Sequence, residues 1–196
     1  SRRINRDTLF LALLGEKYDG NDFCETAIEA GAQAYISTKE IINKTGIVVE
    51  DTYLALLKMA RYQQQQVNPK TLAITGSNGK TTLKEMVAHI LDEQESIKTK
   101  DNENNQFGIP FTVLRLKPET RFLVLECGAR KLGDFDLISE YLKFDVLAIT
   151  NINNSHIEIF ENQTNIIRTK TKLLDGLRVG GSFIDGAFED WGTSDK

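Results

Sequence analysis

The apolar and polar positions of the chain fall into two alternating kinds of segment. Short apolar runs occupy residues 9–13 (LFLAL), 33–37 (QAYIS) and 46–50 (GIVVE), and each predicts a strand. Between the first two lies "DFCETAIEAGA", which predicts a helix closed by Gly31. Asp51 has the position of an N-cap for the helix "TYLALLKMARYQQQQ". The polar stretch 63–70, QQQQVNPK, is expected to end that helix and act as a linker. The same alternation then resumes. Apolar strands are predicted at 71–75 (TLAIT), 121–126 (RFLVLE) and 145–152 (DVLAITNI), with helices between them. After the first, Leu83, Met86, Val87, Ile90 and Leu91 share one helical face, and His89 lies off it in solvent.

Strands apolar along their whole length, separated by helices, imply an α/β fold with a doubly wound, mostly parallel sheet. Two units are expected: a small α/β unit over residues 1–68 and a larger one over 69–196. The composition fits soluble globular domains, with 40% hydrophobic and 27% charged residues in 196. A net charge of −4 gives no reason to expect a nucleic-acid or membrane-surface binder. No apolar run approaches the ~18 residues that span a bilayer. Cys24 and Cys127 are far apart without metal spacing, which suits a reducing cytoplasm. With only His89 and His156, a multi-histidine metal site is excluded. The chain opens at Ser1 inside what reads as a motif, so a fragment is expected.

The candidate chemistry starts at "AITGSNGKTTLKEM", residues 73–86. A standard phosphate-binding loop, G-x-x-x-x-G-K-[ST], needs glycine at position 74, which is Ile74. The first glycine is Gly76. Yet Gly76, Ser77, Asn78, Gly79, Lys80, Thr81 and Thr82 stand between a predicted strand and helix, the context such a loop requires. Glycines let backbone N–H groups face a phosphate, and the helix N-terminus adds the positive end of its dipole. Lys80 supplies a charge for the outer phosphates, and Thr81 or Thr82 a hydroxyl for Mg2+.

Three further residues fall at ends of predicted elements. Glu126 closes "RFLVLE", and the carboxyl end of a parallel strand opens onto the ligand crevice. His156 follows the strand 145–152 on the same rim, with Glu158 close behind. In the helical pattern of 165–177, Ile166, Ile167, Leu173, Leu174 and Leu177 fall within about 120° of each other, with Lys170 in their midst. Arg168 and Lys172 lie outside that stripe. Lys170 either snorkels to the edge or is desolvated, which makes its neutral amine available for covalent chemistry. In "DNENNQFGIPF", 101–111, Pro110 can open a helix. Asn102, Asn104 and Asn105 suit tight turns or contacts to a sugar or phosphate, and spacing alone leaves both open.

Together these motifs resemble the Mur ligase family, ATP-dependent amide-forming enzymes of peptidoglycan synthesis. The loop is similar to that family's T-G-[ST]-N-G-K-T-T, which accounts for the unusual spacing. "NENNQFGIP" and "ECGAR" resemble N-x-N-N-x-x-G-x-P and E-[LM]-G-A-[NR] of the branch that adds D-alanyl-D-alanine. "SRRINRDTLFLALLG" resembles the uridine-binding start. The resemblance implies ATP and Mg2+ as cofactors, and UDP-N-acetylmuramoyl-tripeptide and D-alanyl-D-alanine as substrates of a cytoplasmic, monomeric ligase. It implies phosphate contacts by Lys80, Thr81 and Thr82, and metal-site roles for Thr81, Glu126 and His156. Lys170 matches the family lysine that becomes a carbamate, and Ser1 and Arg2 match uridine-diphosphate contacts. The departures are Asp7-Thr8 for Gly-Asp, Asp101 for a glycine, Lys172 where Glu is common, and "FIDGAFED" for an Asn-Ala-Asp segment. The family also has the rest of a central domain and a third domain beyond the point reached at Lys196, so this chain alone is expected not to form the amide. The rivals are a phosphotransferase or simple NTPase, and a truncated homologue that only binds nucleotide.

Overall fold

The computed structural model describes residues 4–15, 17–91, 95–153, 160 and 162–186. By contact density the chain divides into two compact units, Ser1–Leu56 and Leu57–Lys196.

The first unit carries a three-stranded parallel sheet in the order β1-β2-β3, from Leu9–Leu11, Ala34–Ser37 and Gly46–Val48. Helix α1, Cys24–Glu29, connects the first two strands. It ends as expected at Gly31, whose φ of +108° is open to glycine and strained for other residues. The core is small: Ala12, Cys24 and Tyr35, with Phe10, Ile28 and Ile41 against them. Gly46 lies over the Tyr35 ring, where a Cβ would come within 2.2 Å of Cζ.

Helix α2, Thr52–Val67, runs across the division. Its start is the expected cap, with Asp51 Oδ1 accepting from the N–H groups of Tyr53 (2.7 Å) and Leu54 (2.9 Å). Its end corrects the expected linker. Residues 63–67 are the last helical turn and lie within the second unit, where two glutamines hold it. Gln63 donates to the Leu116 carbonyl at 2.7 Å. Gln64, buried, donates to the Lys143 carbonyl at 2.7 Å and accepts from the Lys143 N–H at 3.0 Å. A polar run that reads as solvated chain is here a set of amides satisfying strand-end backbone.

The second unit is built on a five-stranded parallel sheet in the order β5-β6-β4-β7-β8. Its strands are β4 (Lys70–Thr75), β5 (Ser96–Lys98), β6 (Phe122–Glu126), β7 (Phe144–Ile149) and β8 (Leu177–Asp185). The helices are α3 (Lys80–Ile90), α4 (Gly108–Leu114), α5 (Asp136–Tyr141) and α6 (Gln163–Thr171). The expected doubly wound, mostly parallel α/β fold is therefore present. β4, first in sequence, lies between β6 and β7, so chain direction reverses about it. That is the switch point where such sheets open a ligand crevice.

Both faces of the central strands are covered. Ile74, Val124 and Ala148 form one buried face, packed by Leu72, Leu83, Val87 and Leu91. Ala73, Leu123, Leu125 and Leu147, alternating with these, are fully buried on the other. The helical stripe of α3 needs correction: Met86 and Ile90 are 61% and 82% exposed, while Lys84 and Ala88 are buried. α6 also departs from its expected phase. It ends at Thr171 and tightens into a 3-10 turn, Lys172–Gly176. Three residues per turn rather than 3.6 swings Leu174 outward, while Leu173 stays buried.

Candidate functional site

The loop Gly76–Gly79 links β4 to α3 at the switch point. Its conformation depends on both glycines. Gly76 has φ +141° and Gly79 φ +78°. A Cβ at Gly76 would stand 2.0 Å from Thr150 Oγ1. Residues after β7 hold the loop from outside. Ser77 N–H donates to the Asn151 carbonyl (2.9 Å) and Asn78 N–H to Asn151 Oδ1 (2.9 Å).

Two lysines converge on one carbonyl. Lys80 Nζ donates to Gly76 O at 2.8 Å and to Ser77 O at 3.1 Å. Lys170 Nζ, brought from α6, donates to the same Gly76 O at 2.9 Å. Lys170 is 6% exposed. Burial, and then the charge of Lys80, push its pKa down from 10.5 to about 8. Burial also lowers the Lys80 pKa, against the attraction of Glu126. The snorkelling alternative is thus set aside: the ammonium points into the protein, at the loop.

Beneath the start of α3 lies an oxygen-rich cluster around Glu126. The carboxylate is nearly inaccessible, with 3% of its side chain exposed. Thr81 Oγ1 donates to both of its oxygens, at 3.1 and 3.0 Å. Asn104 Nδ2 donates to Oε1 at 2.9 Å. Lys84 Nζ stands 3.3 Å from Oε2. The segment after β6 fixes Asn104 in turn, because Gly128 N–H donates to its carbonyl at 2.7 Å. A Cβ at Gly128 would press on the Asn104 amide at 3.2 Å. Cys127, between Glu126 and Gly128, is buried, and burial pushes its thiol up to about 12, so it is no nucleophile at neutral pH.

Asn105 serves elsewhere. Its Oδ1 accepts from Phe107 N–H (3.0 Å) and Gly108 N–H (2.9 Å), capping α4. Pro110 follows in the first turn of α4, where no intrahelical N–H partner is needed. Asn102 is exposed in the preceding turn. Asp101, standing where the family motif has glycine, has φ +42°. Ser1, Arg2, His156 and Glu158 lie outside the described residues, as does the second half of "FIDGAFED", beyond Gly186. Among the described residues no three His, Cys, Asp or Glu side chains form a metal-binding group. Beside the loop, a cleft of about 340 Å³ is lined by Thr82, Met86, Thr150, Ile184 and Gly186, among others.

Two family models match the chain. The catalytic domain of the Mur ligase family covers residues 1–67, and the Mur ligase middle domain covers 74–192. The chain belongs to the Mur ligase family. Among curated relatives, this Mur ligase chain is similar to the UDP-N-acetylmuramoyl-tripeptide--D-alanyl-D-alanine ligase of Bacillus subtilis, at 36% identity over 94% of this chain and 41% of the relative. The Escherichia coli ligase of the same name is 34% identical over 97% of this chain and 43% of its own length. Among solved structures it is similar to MurF from Acinetobacter baumannii, with TM-score 0.89 and 33% identity over 96% of this chain and 42% of that one. MurF from Thermotoga maritima in complex with ADP gives TM-score 0.85 and 28% identity, over 94% and 44%. The chain thus spans about two fifths of the length of the curated relatives it matches.

Of the site residues expected from the sequence of this Mur ligase chain, the structure gathers Gly76, Lys80 and Lys170 at one point and Thr81, Glu126 and Asn104 at another. Lys84 was not anticipated. The signal was present, because position 84 falls one turn before Ala88 on the inward face of α3. A lysine on that face needs a buried anion, and Glu126 is the buried carboxylate that meets it.

Proposed function

We propose that this chain is the uridine-nucleotide-binding and ATP-binding part of a Mur ligase that joins D-alanyl-D-alanine to UDP-N-acetylmuramoyl-tripeptide. Residues 1–68 bind the uridine diphosphate end, through Ser1 and Arg2. Residues 69–196 bind ATP and phosphorylate the peptide carboxylate, giving an acyl phosphate that the incoming amine attacks. The observation that carries this reading is the pairing of a glycine-framed loop with a buried carboxylate–threonine cluster directly under it.

The parts have distinct tasks. Loop N–H groups and Lys80 bind the outer phosphates, and Lys80 offsets charge that develops during phosphoryl transfer. The cleft beside Thr82 and Met86 has room for the base and sugar of a nucleotide. The donors around Glu126 are hard oxygens from Glu126 and Thr81, which is the chemistry Mg2+ selects. They fit that ion, with His156 and a carbamylated Lys170 as further members of the set. When bound, Mg2+ would supply charge neutralisation at the phosphates. A depressed pKa supports carbamylation, since the neutral amine is the form that adds CO2. Asn102 and Asn104 frame the substrate side of the site.

The third domain of the family is expected to bring the D-alanyl-D-alanine amine. Among the described residues no helix is long and apolar enough to cross a membrane. A cytoplasmic monomer is part of the proposal, and light scattering checks the oligomeric state. The central test is calorimetric titration of the chain with Mg2+ and a non-hydrolysable ATP analogue. Lys80→Ala is expected to weaken binding at least tenfold, the loss of one charge-assisted phosphate contact at about 1.4 kcal/mol or more. Equal affinity in both proteins would refute the assignment of the loop.

A further inference from the structure

Lys84 is not explained by packing. It is 1% exposed, on a helix face that otherwise presents aliphatic residues to the sheet. Burying an ammonium is costly unless an anion and hydrogen-bond acceptors accompany it. Lys84 has two such partners, Glu126 Oε2 and Glu85 Oε1, each 3.3 Å away. They differ in kind. Glu126 is buried and belongs to the oxygen cluster, whereas the Glu85 side chain is half exposed and also pairs with Lys98.

The remaining positions around Glu126 are taken. Thr81 bridges both oxygens and Asn104 holds Oε1. A divalent cation that takes Glu126 as a ligand must therefore replace one existing partner. The Lys84 contact is the longest of these, and it is the one whose donor already has a second carboxylate. Close approach of an ammonium and a divalent cation to one oxygen is also electrostatically unfavourable.

We propose that Lys84 is a built-in, exchangeable counter-ion for Glu126. It neutralises and orients the carboxylate when no divalent cation is bound, and passes to Glu85 when one arrives. Lys84 is a positioning residue, acting through Glu126. The inference rests on reading Glu126 as a residue of the cation site. It predicts opposite effects for two substitutions. Lys84→Met removes the competitor, so divalent affinity rises. Glu85→Gln removes the fallback partner and leaves the ammonium committed to Glu126, so divalent affinity falls.

The test is Mn2+ binding to the chain with a non-hydrolysable ATP analogue, followed by loss of the free-ion electron paramagnetic resonance signal. Lys84→Met is expected to bind Mn2+ about tenfold more tightly than wild type, and Glu85→Gln severalfold more weakly. Thermal unfolding gives a second readout. Lys84→Met is expected to melt roughly 10 °C below wild type in chelator, from a buried carboxylate left without its partner, and to regain much of that loss in millimolar MgCl2. A merely structural lysine would give the same deficit with and without Mg2+, which overturns the proposal. Unchanged Mn2+ affinity in Glu85→Gln, at a half-exposed position, overturns it even where Lys84→Met does not fold. Absence of Mn2+ binding by the nucleotide-loaded wild type is a separate outcome, which refutes the cation site itself.

Discussion

Replacing Lys170 with methionine is expected to change how stability responds to pH. The side chain is 6% exposed and its pKa falls from 10.5 to about 8 on folding. Burial is the first cause and Lys80 the second. For a lysine lowered in this way, the unfolded chain binds more protons between the two values. Stability therefore rises with pH across that window, and the full cost is felt below pH 8. At pH 7 the shift corresponds to about 3 kcal/mol of folding free energy relative to a neutral side chain. By about pH 9.5 roughly 2 kcal/mol of that cost has been relieved. The hydrogen bond to Gly76 O offsets part of it, by about 1–2 kcal/mol, and methionine forfeits that bond. Methionine has similar length and no charge. Lys170→Met is thus expected to equal or exceed wild-type stability at pH 7, while the wild type gains about 2 kcal/mol on the variant by about pH 9.5. Urea unfolding of both proteins at the two pH values measures it. Lys172→Met, at a half-exposed position paired with Asp175, serves as the control and should show no such divergence. A wild-type-to-variant difference independent of pH would refute the claim that burial lowers the Lys170 pKa.

Three further substitutions probe the scaffold of the site. Gly76→Ala is expected to cost about 3 kcal/mol or more and to abolish nucleotide binding, because φ is +141° and the new Cβ meets Thr150 Oγ1 at 2.0 Å; near-wild-type melting and titration would contradict this. Asp101→Gly is expected to shift stability by less than about 1 kcal/mol, since relief of a left-handed residue nearly cancels the extra freedom of glycine when unfolded; a large loss on thermal unfolding would show that the Asp101 side chain is itself engaged. Gln64→Leu is expected to lower stability by about 2–4 kcal/mol, seen as a fall of roughly 5–15 °C in melting temperature, because Lys143 N–H and C=O lose their partners; an unchanged melting temperature would mean that water replaces the amide without cost.

Much of the second unit is legible because its central strands are buried on both faces, so β4, β6 and β7 read as continuous apolar runs. The edge strands were not legible. β5 is only Ser-Ile-Lys, partly buried, with too little apolar length to register. β8 is interrupted where Phe144 pairs with Leu177 but Val146 pairs with Ser182, so Arg178–Gly181 bulge from the ladder. Its glycines, Gly180 at φ +79° among them, mimic a loop in sequence. On α3, Met86 and Ile90 fit an apolar stripe by type but fall outside the arc that the sheet covers. Side chains of α3 meet only one sheet face, and Leu83, Val87 and Leu91 suffice to cover it. The glycine loop and Glu126 were legible because strand ends at a switch point have few alternatives. The inward position of Lys84, one turn before Ala88, was legible, but a Lys-Glu pair at 84–85 reads as ordinary surface charge and masks it.

Several features that violate local rules gather at the glycine loop. Gly76 takes a backbone conformation closed to other residues, Lys80 turns back onto its own loop, Lys170 buries an ammonium, and Lys84 buries another. Each is unfavourable in isolation, by about 1–3 kcal/mol. The central strands nearby are otherwise largely apolar, with Ala73, Ile74, Leu123 and Leu125 at zero exposure. A fold under no constraint but stability would replace such lysines with leucine or methionine, because an isostere avoids the desolvation altogether. Their gathering at the carboxyl end of β4 and β6 means that the sheet's surplus stability is spent at one place. Three lysines and one carboxylate are held there, which supports the proposed site for a polyanion and its counter-ion. An empty pocket of the same size lined by aliphatic residues would favour neither, so this concentration of local cost supports the proposed reading of the loop as a ligand site rather than a by-product of the fold.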